Sequence, residues 1–126
     1  PRSQDLLPAG ADGVSGSLDP SHEYVKDGER IETRTVDLDS LLELTGRNIC
    51  DVLKLDIEGA EYSLLEALTA NGRIRAARQL LVEFHHGVTQ HGPNDTRRIV
   101  DGLADAGFRL VHTEGRNYIF RQDPAQ

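Results

Sequence analysis

Two short runs concentrate groups able to move protons or hold cations: Asp56-Ile57-Glu58-Gly59-Ala60-Glu61 and Glu83-Phe84-His85-His86. Each closes an apolar stretch. Carboxylates and imidazoles accept protons near neutral pH, and together they bind divalent ions through oxygen and nitrogen. Asp56 stands out because it ends an apolar strand, where no helix cap is needed. Glu58 and Glu61 also have a local reading, as first-turn carboxylates offsetting the positive end of a helix, with Gly59 permitting close helix–strand packing. His85 and His86 read equally well as the start of a polar loop, and Glu83 as the partner of a basic neighbour such as Arg78. Asp56, Glu83, His85 and His91 could form an open metal site, although their spacing matches no tight motif such as His-Glu-x-x-His.

Other chemistries have less support. Gly10, Gly13 and Gly16 are spaced G-x-x-G-x-x-G rather than G-x-G-x-x-G, and no clear strand precedes them. Lys54 follows no glycine-rich loop, so it is not a phosphate lysine. There is no G-x-S-x-G elbow, and Cys50 has no histidine near it in sequence. One cysteine also excludes an intramolecular disulfide framework and a cysteine-only zinc site.

The elements that must position these groups follow from the pattern. Residues 1–30 carry glycine and proline with few apolar residues and are expected to be irregular. A β-branched alternation predicts a strand over 32–38, then a short helix over 41–44, capped by Asp39 or Ser40 and closed by Gly46. Further strands are expected at 51–56 and 79–84, with a helix over 58–70 between them. Tyr62, Leu64, Leu65 and Leu68 form its apolar stripe, and Asn71-Gly72 stops it. A helix over 96–106, capped by Asn94 or Asp95, leads into a hairpin of 108–113 with 118–121. This order calls for an α/β sheet, parallel at first, with helices on its faces and one antiparallel strand from the hairpin. In such sheets ligands bind beyond the carboxyl ends of the strands. If 51–56 and 79–84 are parallel neighbours, the two polar runs share one cleft.

The chain has 126 residues, a net charge of −7 and 28% charged residues, the profile of one globular domain. Its acidity argues against a nucleic-acid or anionic-membrane surface. No transmembrane or signal segment is visible, so the expected compartment is cytoplasmic.

The run DVLKLDIEGAEYSLL from Asp51 resembles the signature of FkbM-type methyltransferases, which use S-adenosylmethionine. Two flanking pieces agree in order: Thr35-Val36-Asp37-Leu38-Asp39-Ser40-Leu41 upstream and Leu80-Leu81-Val82-Glu83-Phe84-His85 downstream. Ala106-Gly107-Phe108 matches the entry to the final hairpin. The resemblance covers roughly 31–121 and implies a class I, Rossmann-like methyltransferase fold, with a mostly parallel sheet and the last strand inserted antiparallel. It implies O-methylation of a sugar, glycan or natural-product hydroxyl. On that basis Asp56 and His85 are the candidate catalytic residues, and Glu58, Glu61, Glu83 and His86 shape the substrate side. A divalent metal held by Asp56 and His85 is a weaker expectation.

The family's glycine-rich first strand and the acidic residue ending its second are not found before Arg30, so the cofactor-binding residues are not assigned. The chain reads as the C-terminal two thirds of the domain, over 31–126, lacking the N-terminal strands and most of the cofactor pocket. The strand at 52–55 would then be a bare edge, open to self-association or to the N-terminal segment. The rival readings are a non-catalytic α/β interaction module and a metal-dependent hydrolase using Asp56, Glu83 and His85.

Overall fold

The structure is a computed structural model that describes residues 2–9, 15–17 and 31–124. Strands β1 (Arg2–Ala9), β2 (Ser15–Ser17) and β3 (Ile31–Thr35) form an antiparallel sheet in the order β2-β1-β3. The first thirty residues, expected to be irregular, therefore contain two strands. The rest of that stretch, including Gly10 and Gly13, lies outside the described residues.

Helix α1 (Leu38–Thr45) follows, longer than expected at both ends. Its cap is Asp37, not Asp39 or Ser40: the Asp37 carboxylate accepts from the Ser40 N–H at 2.8 Å. That bond satisfies one of the amides left open in a first helical turn and holds the Asp37 carboxyl below its usual pKa. Gly46, at φ 73°, ends the helix in the left-handed conformation that glycine adopts without a Cβ clash.

The second sheet is the frame of the site. It contains β4 (Cys50–Leu55), β5 (Ala77–Glu83), β6 (Phe108–Glu114) and β7 (Asn117–Gln122), in the order β4-β5-β7-β6. Strands β4 and β5 are parallel, with Leu55 opposite Val82. Strand β7 runs antiparallel to both of its neighbours and so lies between β5 and β6. The sheet is thus mixed rather than mostly parallel over its described strands, and the final strand is the inserted antiparallel one. Helix α2 (Glu61–Ala70) and a 3-10 turn at Arg73–Ala76 connect β4 to β5. Helix α2 starts three residues later than expected because 57–60 form a turn instead. Helix α3 (Pro93–Asp105) connects β5 to β6 and is capped at Gly92 rather than Asn94 or Asp95. Asp95 serves that cap from inside the helix, its carboxylate accepting from the Gly92 N–H at 2.9 Å.

One core joins these elements. Leu55, Leu80, Val82 and Phe120 face it from the sheet, Tyr62, Leu65 and Leu68 from α2, and Ile99 and Leu103 from α3. Phe84 and Phe108 are fully enclosed at strand ends, as their apolarity requires. Phe84 packs edge-on against Tyr118, with ring centroids 5.0 Å apart, and also touches Tyr62.

Candidate active site

The parallel register of β4 and β5 brings the two polar runs together, because Leu55 pairs with Val82 and the residues that follow them, Asp56 and Glu83, come side by side. Asp56 and Glu83 become neighbours, although 27 positions separate them in the chain. The chain then turns sharply after β4. Ile57 C=O accepts from the Ala60 N–H at 3.2 Å, closing a turn whose central residues, Glu58 and Gly59, have φ of 55° and 107°. Two successive positive φ values are the pattern of a type I′ turn, which favours Asn-Gly over Glu-Gly. Glu58 is the only non-glycine residue with positive φ among those described, a conformation that costs an ordinary side chain about 1–2 kcal/mol. Glu58 therefore belongs to this turn, not to the helix first turn suggested by its spacing.

His85 is the centre of the arrangement. Its side chain is 3% exposed, and its Nδ1 lies 2.8 Å from Glu61 Oε1. The same oxygen accepts from the His85 backbone N–H at 2.7 Å, while Oε2 accepts from the Gly59 N–H at 2.8 Å. Glu61 is fully buried, so its carboxylate reaches other groups only through His85 and the turn. It was expected on the substrate side. The structure makes it the group that orients His85, since its oxygens are engaged within the protein. On the other edge of the ring, Nε2 lies 3.5 Å from Asp56 Oδ1 and 3.3 Å from Glu58 Oε2.

The electrostatics follow from this packing. Burial works to lift the Glu61 carboxyl, but hydrogen bonds from the His85 ring and from backbone N–H groups outweigh it and hold the pKa below its ordinary value. Burial works to lower the His85 pKa, but the Glu61 carboxylate, with Glu58 and Glu83 beyond it, raises it. Glu83 is pushed up first by burial and then by the Asp56 carboxyl beside it. Its cationic neighbour is Arg116, 3.8 Å away, and not Arg78, which faces Asp51 at 3.9 Å. The exchange has a geometric reason: Arg78 and Glu83 are five residues apart on one strand and so point to opposite faces of the sheet.

His86 and His91 turn away from this centre. His86 Nδ1 lies 2.9 Å from the Thr96 hydroxyl, which in turn lies 2.8 Å from the Tyr62 hydroxyl. Burial, with the positive Arg116 nearby, holds the His86 pKa below its ordinary value. His91 stacks on Tyr62 with centroids 3.9 Å apart, so it is not a member of the expected metal set. Tyr62, Thr96 and Arg116 contribute to the site's surroundings but carried no functional signal in the sequence, where Tyr62 is legible only as part of an apolar helix stripe. Tyr62 and Thr96, for example, are 34 residues apart and meet only because α2 packs on α3.

Over the ends of β4, β5 and β7 lies a cleft of about 260 Å³ lined by Lys54, Asp56, Leu81, Glu83, Asn117 and Ile119, among others. A half-exposed carboxylate thus stands at a strand's carboxyl end, beside a buried imidazole and on the lining of a cleft. The sequence matches the family model of the methyltransferase FkbM domain over residues 3–110. The chain belongs to that family and is a methyltransferase domain. No curated protein and no solved structure matches it. Among the described residues, no helix is long and apolar enough to cross a membrane.

Proposed function

We propose that this domain carries out O-methylation, moving a methyl group from S-adenosylmethionine to the hydroxyl of a sugar, glycan or natural product, with Asp56 facing the acceptor. The observation that carries this reading is the position of Asp56: it follows the last residue of β4 beside Glu83, half exposed and lining the cleft, in a chain of the FkbM methyltransferase family. The inserted antiparallel strand β7 supports a class I methyltransferase sheet. S-adenosylmethionine supplies a methyl on a positively charged sulfonium. The cleft is smaller than the roughly 300–1,000 Å³ of a full small-molecule pocket, so it suits one end of such a ligand. Two acids against one lysine in its lining suit the cationic end, with Asp56 and Glu83 as the residues that would face it.

The chain's own work is positioning and proton transfer. Asp56 orients the acceptor hydroxyl and takes its proton as the oxygen attacks, a role typically worth about 10²–10⁴-fold in rate. Glu83, its pKa raised by burial and by the Asp56 carboxyl beside it, flanks Asp56 at the acceptor and shapes that side of the cleft. His85 is enclosed and bonded to Glu61, so the more exposed Asp56, rather than His85, is the first proton acceptor. Holding hydroxyl and methyl in line supplies the rest of the acceleration.

The test is a calorimetric titration of S-adenosylmethionine into the chain, followed by transfer of labelled methyl to a panel of hydroxyl acceptors. Saturable binding and label on a hydroxyl are expected. Asp56→Asn should lower kcat by about 10²-fold or more while the melting transition stays put, because the side chain is half exposed. Unchanged turnover in Asp56→Asn would remove Asp56 from the mechanism, and absence of both binding and transfer would overturn the reading for this chain.

A further inference from the structure

We infer that Asp56, Glu58 and His85 form a binding site for one divalent cation of the Mn²⁺ kind, with Glu61 as the residue that aims the imidazole. The first ground is spacing. One carboxylate oxygen from each acid and one ring nitrogen lie within 4.8 Å of one another. His85 Nε2 is 3.5 Å from Asp56 Oδ1 and 3.3 Å from Glu58 Oε2, longer than a well-formed hydrogen bond. Neighbouring ligands around an ion with bonds of about 2.1 Å stand roughly 3.0–3.4 Å apart in octahedral or tetrahedral geometry, so both separations lie near the edges of such a polyhedron. Asp56, the most exposed of the three, has room to close the remaining gap.

The second ground is the support behind the imidazole. Histidines that bind metals commonly give their other ring nitrogen to a carboxylate, which sets the tautomer and the ring orientation. Here that carboxylate is Glu61, fully buried, bonded to Nδ1 at 2.8 Å and anchored by two backbone N–H groups. The third ground is the turn. Glu58 is held at φ 55°, where glycine or asparagine is normally preferred, and in that conformation its carboxylate meets His85 Nε2. Finally, four carboxylates (Asp56, Glu58, Glu61 and Glu83) surround His85, with Arg116 at the rim, an excess of negative charge that a divalent cation offsets. Two hard oxygens with one imidazole suit Mn²⁺, and three protein ligands leave further coordination positions for water or another ligand.

What the cation contributes to catalysis rests on the methyl-transfer reading above; its binding does not. The experiment is a Mn²⁺ titration of the full chain in chelator-treated buffer, without methyl donor or acceptor, following free Mn²⁺ by electron paramagnetic resonance. One saturable site per chain is expected. Asp56→Asn and Glu58→Gln should each weaken it tenfold or more, whereas Asp105→Asn, on an exposed carboxylate at the last residue of α3 and so at the opposite end of the sheet, should not. Circular dichroism of each variant checks folding, and both ligand substitutions lie at partly exposed positions that can tolerate them. Absence of saturable binding, or binding that Asp56→Asn and Glu58→Gln leave unchanged, overturns the inference. A chain that binds Mn²⁺ but transfers no methyl overturns only the proposed function. Full methyl transfer from a chain that binds no Mn²⁺ overturns only the cation site.

Discussion

Tyr62 shows how a residue can matter without touching the chemistry. Its ring is 1% exposed and sits between Phe84 and His91, and its hydroxyl meets only Thr96 among the contacts described above. Burial is the main reason its pKa is pushed up to about 12, with the Thr96 hydrogen bond partly offsetting it. The sign follows directly. An unfolded tyrosine ionises near its ordinary value of 10.0, whereas the folded one stays protonated, so the unfolded state gains stability as pH rises between the two values. Denaturant melts should therefore lose about 2–3 kcal/mol between pH 10 and 12 from this residue, and Tyr62→Phe should remove that loss. A phenolate absorbance titration should show one tyrosine ionising only with unfolding. Thr96→Val tests the same network differently. The substitution keeps the shape but leaves the Tyr62 hydroxyl and the His86 ring without a partner in a buried site, at a cost of about 1–3 kcal/mol. In the Tyr62→Phe background the cost of Thr96→Val should shrink, measured as a coupling in a double-mutant cycle.

At the scale of elements, the turn after β4 determines where the acids go. Helix α2 begins without a side-chain cap bond, and the turn before it takes that place by supplying the Gly59 N–H to Glu61. Gly59 has φ 107°, a region that only glycine enters without strain. Gly59→Ala should destabilise the fold by about 1–3 kcal/mol and shift Glu61, with chemical denaturation as the measurement. Gly102 is the opposite case. It lies within α3 at ordinary helical geometry, and a Cβ there meets nothing within 4 Å. Gly102→Ala should stabilise the domain by up to about 1 kcal/mol, since glycine in a helix interior costs that much relative to alanine. If both substitutions moved stability the same way, positive φ would not be the reason for Gly59. The sequence signals at this scale were uneven. Periodicity located every helix and strand of the second sheet, but cap residues were displaced for α1 and α3. Asp37, Asp39 and Ser40 are all competent caps, and only the path of the chain chooses among them.

For the whole molecule, β4 is the exposed consequence of the strand order. It lies at the end of the described four-stranded sheet, with Val52 47% exposed. An unpaired strand presents open N–H and C=O groups to another chain. The bare-edge expectation thus becomes a proposal of self-association through 52–55. Sedimentation at rising concentration should show larger species, and Val52→Lys should reduce them, because a charge on an edge strand opposes pairing. A chain that stays monomeric at every concentration overturns the proposal. The four-stranded order also has a direct bearing on function. Inserting β7 between β5 and β6 places Asn117, Tyr118 and Ile119 beside the strand end that carries Glu83, so the last strand of the chain completes the cleft begun by β4.

The alternation of strands and helices from Ile31 onward, the two polar runs at strand ends and the family were legible in the order of residues, because these depend on local periodicity and on ordered motifs along the chain, whereas β1 and β2 carry no such periodicity. That order of residues also identified Asp56 and His85 as the residues to watch. Their partners came from the fold. The parallel register of β4 and β5 sets Asp56 beside Glu83, a turn with two positive φ values swings Glu58 onto His85, and burial converts Glu61 from a first-turn acid into the anchor of the imidazole. His91 was removed from the expected ligand set by stacking on Tyr62. Contacts between residues distant in sequence depend on register, packing and enclosure, which the order of residue types does not encode locally.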